Sequence, residues 1–309
     1  MSSLELFQSL PSIRALPFRV GIVGGGRVGG ALARGLAPQV AWVVARSPER
    51  RHQLRQWLEH IPLVGTLADI ATLPEVVILA VPDSALHDVA LTLARRYERR
   101  LKDILVCHCS GVQTRSILAP VETFGAMTGS AHPFTMIPEP DPTWLYGAVW
   151  GIEGEEAAVE RIEQVVGVLG GTAYHLGDVS PERKALYHLT AVLASNVTTS
   201  AIAAAIASAE GAAVPADLFL PPILRATIEN AINAIRRGGT IPRTGPLERG
   251  DMESIERHLL ALASYPSLLQ QYCGYLITMF SEREYLKPEV QSLLQRYCPL
   301  CRHFGQSSP

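Results

Sequence analysis

The chain has 309 residues, 48% of them hydrophobic, and its 27 basic and 29 acidic residues leave a net charge of −2. This balance excludes the strongly basic composition typical of nucleic-acid-binding domains. Five cysteines in a chain of this length exclude the disulfide framework of a small secreted domain. The first residues show neither a basic segment nor a long apolar one, so we expect a cytoplasmic protein.

The first predicted strand, residues 18–23, leads directly into the glycine motif Gly24-x-Gly26-x-x-Gly29, and a helix-like segment follows. This order is typical of a site for a dinucleotide pyrophosphate. Glycines let the backbone approach the phosphates, and the helix N-terminus offers them free N–H groups. The alternative is a glycine-rich turn that binds nothing. The predicted cofactor contacts in this motif are Gly24, Gly25, Gly26, Arg27, Val28 and Gly29.

Strand and helix signals alternate through the first half of the chain, which predicts an α/β Rossmann domain with a mainly parallel, doubly wound sheet. After residue 178 the pattern indicates helices alone, so an all-α domain is predicted to follow. We therefore predict a dinucleotide-binding domain over residues 1–178 and a helical substrate and dimerisation domain over residues 179–309. The Ala-rich stretch 189–214 carries several polar residues, so it is a poor membrane span and is predicted to be a buried helix. Further strands are predicted at 40–45, 76–81, 104–107, 126–131, 148–152 and 172–176, and helices at 155–169, 181–211, 216–237, 251–263, 266–282 and 287–298.

The end of the second predicted strand indicates which dinucleotide is bound. A ribose with a free 2′-hydroxyl is usually held there by a carboxylate, whereas this chain reads Ala45-Arg46-Ser47. The fork of donors on Arg46 and the hydroxyl of Ser47 suit a 2′-phosphate instead. The sequence therefore favours NADP(H) over NAD(H). The alternative is that Arg46 is an ordinary surface residue.

A polar stripe marks the helix predicted to begin after Ser180. At about 100° per residue, Lys184, His188 and Ser195 lie within about 40° of one another, and Tyr187 and Asn196 flank them. Polar groups on a buried face cost stability unless they are paired, so the stripe favours a functional role. Lys184 and His188 are the alternative proton donors, and Asn196 is a third catalytic candidate. Tyr187 and Ser195 are predicted substrate contacts.

Two loops add further candidates. The proline after His132 restricts the backbone there, which places the imidazole to bind a substrate oxygen or the nicotinamide carboxamide. The loop 244–251 is dense in glycine, proline and charge. Its Thr244 and Arg249 are predicted substrate contacts, with Arg249 suited to an anionic group. In both loops the alternative is a purely structural turn.

The C-terminal cysteines form a single C-x-x-C, Cys298 to Cys301, with His303 close behind. A structural zinc needs four ligands, and Cys273 would be a further candidate. Because no second C-x-x-C is present, we predict no metal site, and the role of these residues stays open. Cys107 and Cys109 are predicted core residues.

Taken together, these motifs resemble the Rossmann-like oxidoreductases with a helical C-terminal domain, a group that includes the 6-phosphogluconate and β-hydroxyacid dehydrogenases and pyrroline-5-carboxylate reductase. They resemble more closely a bacterial family that pairs a Rossmann-like domain with a C-terminal domain of unknown function. The resemblance spans residues 18–265. The motifs that carry it are the glycine turn, Val81-Pro-Asp83, His108-Cys-Ser-Gly111, Ser130-Ala-His-Pro133, Lys184-Ala-Leu-Tyr-His188 with Ser195-Asn196, and the loop 244–251.

The resemblance implies positions for further residues. Val81, Pro82 and Asp83 would border the nicotinamide ribose, and Ser110 and Gly111 would lie beside the nicotinamide. The helical domain would form a homodimer interface.

One position departs from the pattern of the β-hydroxyacid dehydrogenases, in which a catalytic lysine is followed four residues later by asparagine. Here Lys184 matches the lysine, but His188 stands at the fourth position, so the proton donor stays open.

The function predicted from these residues is an NADPH-dependent oxidoreductase. It would transfer hydride between the nicotinamide and a small, anionic carbonyl or imine compound in the cleft between the domains. The alternative is a non-catalytic NADP(H)-binding sensor.

Overall fold

The structure is a computed structural model, which describes residues 16–281 and 288–298. The chain divides into two compact units, Met1–Ser195 and Asn196–Pro309. The sheet of the first unit ends at His175. The domain boundary expected at residue 178 stays a prediction.

Within the described residues, the strands of the first unit form one mixed sheet in the order β3-β2-β1-β4-β5-β6-β7-β8. All neighbouring pairs run parallel except β6 and β7, which are antiparallel. The chain reverses direction across the sheet between β1 and β4, where doubly wound folds bind their ligands. The strands are β1 (Val20–Val23), β2 (Val40–Val44), β3 (Leu63–Val64), β4 (Val76–Leu79), β5 (Leu105–His108), β6 (Met127–Pro133), β7 (Val149–Gly154) and β8 (Thr172–His175).

Helices cover both faces of this sheet, because its central strands are apolar on both sides. In β4, Ile78 faces one hydrophobic cluster and Leu79 faces the other. The first cluster includes Leu32 of α1, and the second includes Leu93 of α3. The predicted doubly wound α/β fold is confirmed. The helices of this unit are α1 (Arg27–Gly35), α2 (Pro48–Arg55), α3 (Asp83–Tyr97), α4 (Ala119–Glu122), α5 (Glu156–Val168) and α6 (Pro181–Val192).

In its described part, the second unit is helical, as predicted. Its core contains Leu247, Ile255, Leu259 and Leu276, and a disulfide joins Cys273 to Cys298 inside this core. Its helices are α7 (Thr198–Gly211), α8 (Ala216–Arg236), α9 (Pro246–Arg249), α10 (Met252–Ala261), α11 (Pro266–Ser281) and α12 (Pro288–Tyr297).

The number of cysteines argued against a framework of many bridges, and it left a single bridge open. The bridge found among the described residues joins Cys273 of α11 to Cys298, directly after α12. The bridge also removes the Cys298 thiolate that a metal would need. Cys301 and His303 lie outside the described residues. Among those that are described, no group of three or more His, Cys, Asp and Glu side chains is placed to hold a metal ion.

The long helix after the sheet also differs from expectation. Residues 181–211 form one continuous helix, in which a π-helical turn, Leu193–Val197, separates α6 from α7. Its most apolar stretch of 18 residues has a hydropathy of 1.6, and no residue of that stretch is buried in this chain. The prediction of a buried helix is therefore wrong for the single chain. By length and composition alone the helix could also cross a membrane, a property that some helices of soluble proteins share.

Candidate functional site

The glycine turn at the end of β1 has the shape that its motif predicts. Gly24 has φ +120, and a Cβ there would lie 2.1 Å from the carbonyl oxygen of Ala80. A Cβ on Gly29 would lie 1.9 Å from the carbonyl oxygen of Gly24, so strand and helix touch through bare backbone. Among the described residues, a Cβ on Gly26 would meet nothing within 4 Å, and no side chain caps the helix that begins there. The N-terminus of α1 is therefore open to a ligand.

The turn after β2 presents the residues predicted to choose the cofactor. Ser47 caps α2 by accepting a hydrogen bond from the backbone N–H of Arg50, at 3.1 Å. Arg51 supports the turn by donating to the carbonyl oxygens of Ala45 and Arg46. The side chain of Arg46 is exposed and forms no ion pair within the part of the chain that the structure describes. Its guanidinium is available to an anion at this edge of the sheet.

The loop after β5 is held rigidly. The backbone N–H of Ser110 donates to Nδ1 of His108, and Ser110 Oγ accepts from the backbone N–H groups of Val112 and Gln113. Nε2 of His108 donates to the carbonyl oxygen of Thr114, at 3.2 Å. These bonds present the backbone of Gly111 to the carboxyl edge of the sheet.

The residues after β4 reach the same edge. There Pro82 stands at the N-cap of α3 and Asp83 is its first residue. Val81, just before them, is half-buried.

Four side chains meet at the end of β6, and we call them the His132 cluster: His132, Phe134, Tyr187 and His188. Nδ1 of His132 lies 3.0 Å from the hydroxyl of Tyr187. The imidazole makes edge contacts with the rings of Tyr187 and His188, with centroids 5.6 and 5.7 Å apart. Each of the four side chains is half-buried and so keeps some contact with solvent.

Gly111 fits tightly against this cluster. A Cβ at that position would lie 2.4 Å from Cδ2 of His188 and 2.8 Å from Nε2 of His132. The predicted nicotinamide-side residue and the predicted catalytic histidines are thus neighbours in the first unit.

Lys184 lies beneath the cluster in a buried ion pair. Its Nζ donates to Glu153 Oε2 at 3.0 Å and to Ser130 Oγ at 2.8 Å, and its side chain is 0% exposed. The carboxylate also accepts a hydrogen bond from the backbone N–H of Arg115, at 2.7 Å. A buried charge with such partners is stable only while the pair stays intact.

The environment sets the charge of each group. Burial lowers the pKa of His132 to about 4, and the charges of His188, Lys184 and His108 act in the same direction. Burial raises the pKa of Tyr187 to about 12. Burial also lowers the pKa of Lys184, against the opposing effect of the Glu153 carboxylate. At neutral pH the cluster therefore holds a neutral imidazole and a protonated phenol.

Four further predicted site residues lie at or beyond the end of the first unit. Ser195 is half-buried in the π-helical turn, at the end of the first unit. Asn196, Thr244 and Arg249 belong to the second unit and are exposed. Their roles stay predictions.

Sequence reasoning missed Glu153, the partner of Lys184. The available signal was a carboxylate inside the otherwise apolar β7, Val-Trp-Gly-Ile-Glu-Gly. A charge in a buried strand needs a partner of opposite sign, and a lysine facing the sheet is a suitable one.

Comparisons with known proteins match both parts of the chain. A model described as a Rossmann-like domain matches residues 7–133, and the domain of unknown function DUF2520 matches residues 148–275. No curated protein matches the chain.

Several solved structures share the fold. A Bacteroides fragilis protein named as an NADP oxidoreductase is 22% identical, with a TM-score of 0.70 over 86% of this chain and 98% of its own. An Aspergillus terreus reductive aminase, solved with NADPH and ethyl-5-oxohexanoate, is 20% identical, with a TM-score of 0.61 over 91% of this chain and all of its own. A Streptomyces aurantiacus imine reductase is 19% identical, with a TM-score of 0.56 over 80% of this chain and 87% of its own. At these identities the similarity establishes the fold. The chain thus joins a Rossmann-like domain to a DUF2520 domain.

Proposed function

We propose that this protein is an NADPH-dependent oxidoreductase that transfers hydride between the nicotinamide and a small carbonyl or imine compound. One observation carries the proposal. The open N-terminus of α1 and the His132 cluster both follow carboxyl ends of parallel strands, so one edge of the sheet offers a phosphate site and proton-bearing groups. The solved structures of similar fold include proteins named for NADP or for imine reduction, which supports this class of reaction.

The residues at this edge fit the cofactor. The backbone of Gly26 and the first N–H groups of α1 would hold the pyrophosphate, because no residue that the structure describes fills that space. Arg46 and Ser47 would bind the 2′-phosphate of NADP(H). Gly111 and the residues after β4 would border the nicotinamide. When bound, the cofactor supplies the hydride. The His132 cluster would orient the substrate oxygen or nitrogen and exchange a proton with it.

The cofactor preference has a direct test. Arg46→Glu replaces the exposed guanidinium by a carboxylate, which repels a 2′-phosphate and can accept from a ribose hydroxyl. We expect its NADPH affinity to fall at least about tenfold, a change of about 1.4 kcal/mol, while its NADH affinity stays level or rises. Arg55→Glu, at the far end of the helix that follows this turn, is the control. Equal loss of both cofactors, or of neither, would refute the assignment of Arg46.

Turnover is tested by following NADPH oxidation with a panel of oxo acids, cyclohexanone with allyl amine, and ethyl levulinate. The reductive aminase structures of this fold contain such ketones and amine, which makes these compounds suitable probes. We expect oxidation with at least one member of the panel. Arg249 is proposed to pair with an anionic substrate, so Arg249→Gln should raise KM for oxo acids more than for neutral ketones. If NADPH binds tightly and no compound is reduced, the alternative of a non-catalytic sensor is favoured.

We also propose a cytoplasmic homodimer. Large apolar side chains are exposed along the second unit, including Leu218 at 66%, Ile223 at 62% and Ile235 at 70% in α8. Large apolar side chains exposed in this number favour a surface that a second copy covers. Sedimentation should give twice the chain mass. Ile223→Glu should shift the protein towards the monomer, whereas a monomeric wild type at micromolar concentration would contradict the proposal.

A further inference from the structure

The structure separates two candidate proton donors, Lys184 and Tyr187, by their burial. Lys184 is enclosed, and two of its three ammonium protons are bound by Ser130 and Glu153. To reach a substrate it would have to leave a carboxylate that is itself only 5% exposed. Breaking such a pair costs several kcal/mol, so the ammonium is better suited to hold its neighbours in place.

We propose that Tyr187 gives the proton to the reduced substrate and that His132 returns a proton to Tyr187. This proposal rests on the oxidoreductase function proposed above. Tyr187 is half-buried, unlike Lys184, and its hydroxyl lies within hydrogen-bond distance of Nδ1 of His132, at 3.0 Å.

The fold places this hydroxyl with little freedom. A Cβ on Gly151 of β7 would lie 2.4 Å from Tyr187 Oη, so only glycine at that position admits the phenol. The ring also packs against Phe134, with centroids 5.2 Å apart, and Lys184 Nζ lies 5.7 Å from its centroid. A positioned donor of this kind is what general acid catalysis requires.

Burial keeps the donor protonated. The groups facing the pair are Lys184 and His188 from α6, His108 from β5 and, beyond Lys184, the carboxylate of Glu153. Burial raises the pKa of Tyr187 to about 12, so its proton is present throughout the neutral range. Burial lowers the pKa of His132 to about 4, so its ring is neutral at neutral pH. One of its nitrogens then carries a proton that it can give, and the other can accept one.

The reduction and its proton transfer need no redox reagent besides NADPH. The substrate carbon gains the hydride, which NADPH provides, and the substrate oxygen or nitrogen takes the proton as the O–H bond of Tyr187 breaks. Nδ1 of His132 then gives its proton to the phenolate oxygen, while Nε2 takes one from solvent. Nε2 lies close to Gly111, and the ring of the half-buried His188 lies next to that of His132, with centroids 5.7 Å apart.

The test compares variants in the full chain, with NADPH oxidation measured on the best compound of the panel. Tyr187→Phe keeps the ring and removes the hydroxyl, so kcat should fall about 100-fold or more while NADPH affinity and Tm stay level. His132→Asn keeps a polar atom near Nδ1 but cannot pass a proton through, so kcat should fall about tenfold or more. The controls are Tyr174→Phe and His175→Gln, which change exposed residues of β8 and should leave kcat unchanged.

A pH profile separates a proton role from a packing role. With Tyr187 as donor, kcat should stay level from about pH 6 to about pH 9, since the phenol keeps its proton across that range. An imidazolium donor with the ordinary histidine pKa of about 6.5 would instead give a kcat that falls through neutral pH. In deuterated water the wild type should slow, and Tyr187→Phe should lose most of that isotope effect.

The outcomes distinguish a failure of Tyr187 as the proton donor from a failure of the oxidoreductase function. A Tyr187→Phe enzyme within about threefold of the wild type, or a kcat that falls through neutral pH, would overturn Tyr187 as donor and leave the oxidoreductase function standing. A wild type that binds NADPH but reduces no compound of the panel would overturn both.

Discussion

The buried pair of Lys184 and Glu153 gives the sharpest prediction about stability. Glu153→Gln leaves the ammonium without a counterion in a place where its side chain is 0% exposed. Lys184→Met leaves the carboxylate with only the N–H of Arg115 and the hydroxyl of Ser130. Removing one member of such a pair costs about 3–5 kcal/mol, because the remaining charge stays desolvated. We expect each single variant to lose about that much free energy of unfolding.

The double variant should recover most of this loss, since neither charge is left alone. The coupling energy of the cycle should therefore be at least about 3 kcal/mol. Urea unfolding followed by tryptophan fluorescence is the assay, because Trp42, Trp57, Trp144 and Trp150 all belong to the first unit.

Glu163→Gln is the control for this cycle, since its partner His175 is about half exposed. It should cost less than about 1 kcal/mol. Single losses of that small size at Lys184 and Glu153, or losses that simply add in the double variant, would refute the reasoning.

Two further predictions concern the core of each unit. Burial lowers the pKa of His108 to about 4, so the folded state binds this proton less readily than the unfolded state, whose histidine has a pKa of about 6.5. The free energy of unfolding should therefore be highest above about pH 6.5 and should fall by about 3 kcal/mol as the pH drops towards 4. His108→Asn should reduce this loss, as measured by urea titrations across the same pH range. Cys273→Ser removes the bridge to Cys298 across a separation of 25 residues and should lower the unfolding free energy of the second unit by about 3 kcal/mol, as read by calorimetry. Reduction of the wild type should lower the unfolding free energy by the same amount. A wild type in which Cys273 and Cys298 react with a thiol reagent before any reduction would contradict the bridge.

Local patterns predicted the fold because they agree with one another. The apolar runs of β1, β4 and β5 are buried on both faces, and the glycine motif lies between the first strand and the first helix, as its spacing requires. The strand β3 went unnoticed because only Leu63 and Val64 pair. Two residues carry no periodicity that a pattern could reveal.

The candidate site could be predicted only in part. Helical periodicity put Lys184 and His188 on one face, but it could not show that Lys184 turns into a pair with Glu153, 31 residues away along the chain. That partner comes from an antiparallel strand whose register depends on the folded sheet. The contact between Tyr187 and Gly151 likewise depends on packing between a helix and a strand.

The helix 181–211 shows a different limit of sequence reasoning. The Ala-rich stretch 189–214 was expected to be buried, yet no residue of the helix's most apolar 18-residue stretch is buried within a single chain. Apolar composition indicates that a surface becomes covered, and it does not specify whether the same chain or a second copy covers it.

The central claim is that the glycine turn binds NADPH through bare backbone, and one titration tests it directly. Gly26→Ala should fold normally, because its φ is −73 and a Cβ there would meet nothing within 4 Å. The added methyl would nevertheless stand where the phosphates approach, so the fluorescence titration should show NADPH affinity at least about tenfold weaker than in the wild type. Gly167→Ala, with equally open space in α5, should bind like the wild type. Equal affinity in all three proteins, or no saturable binding by the wild type, would contradict the account.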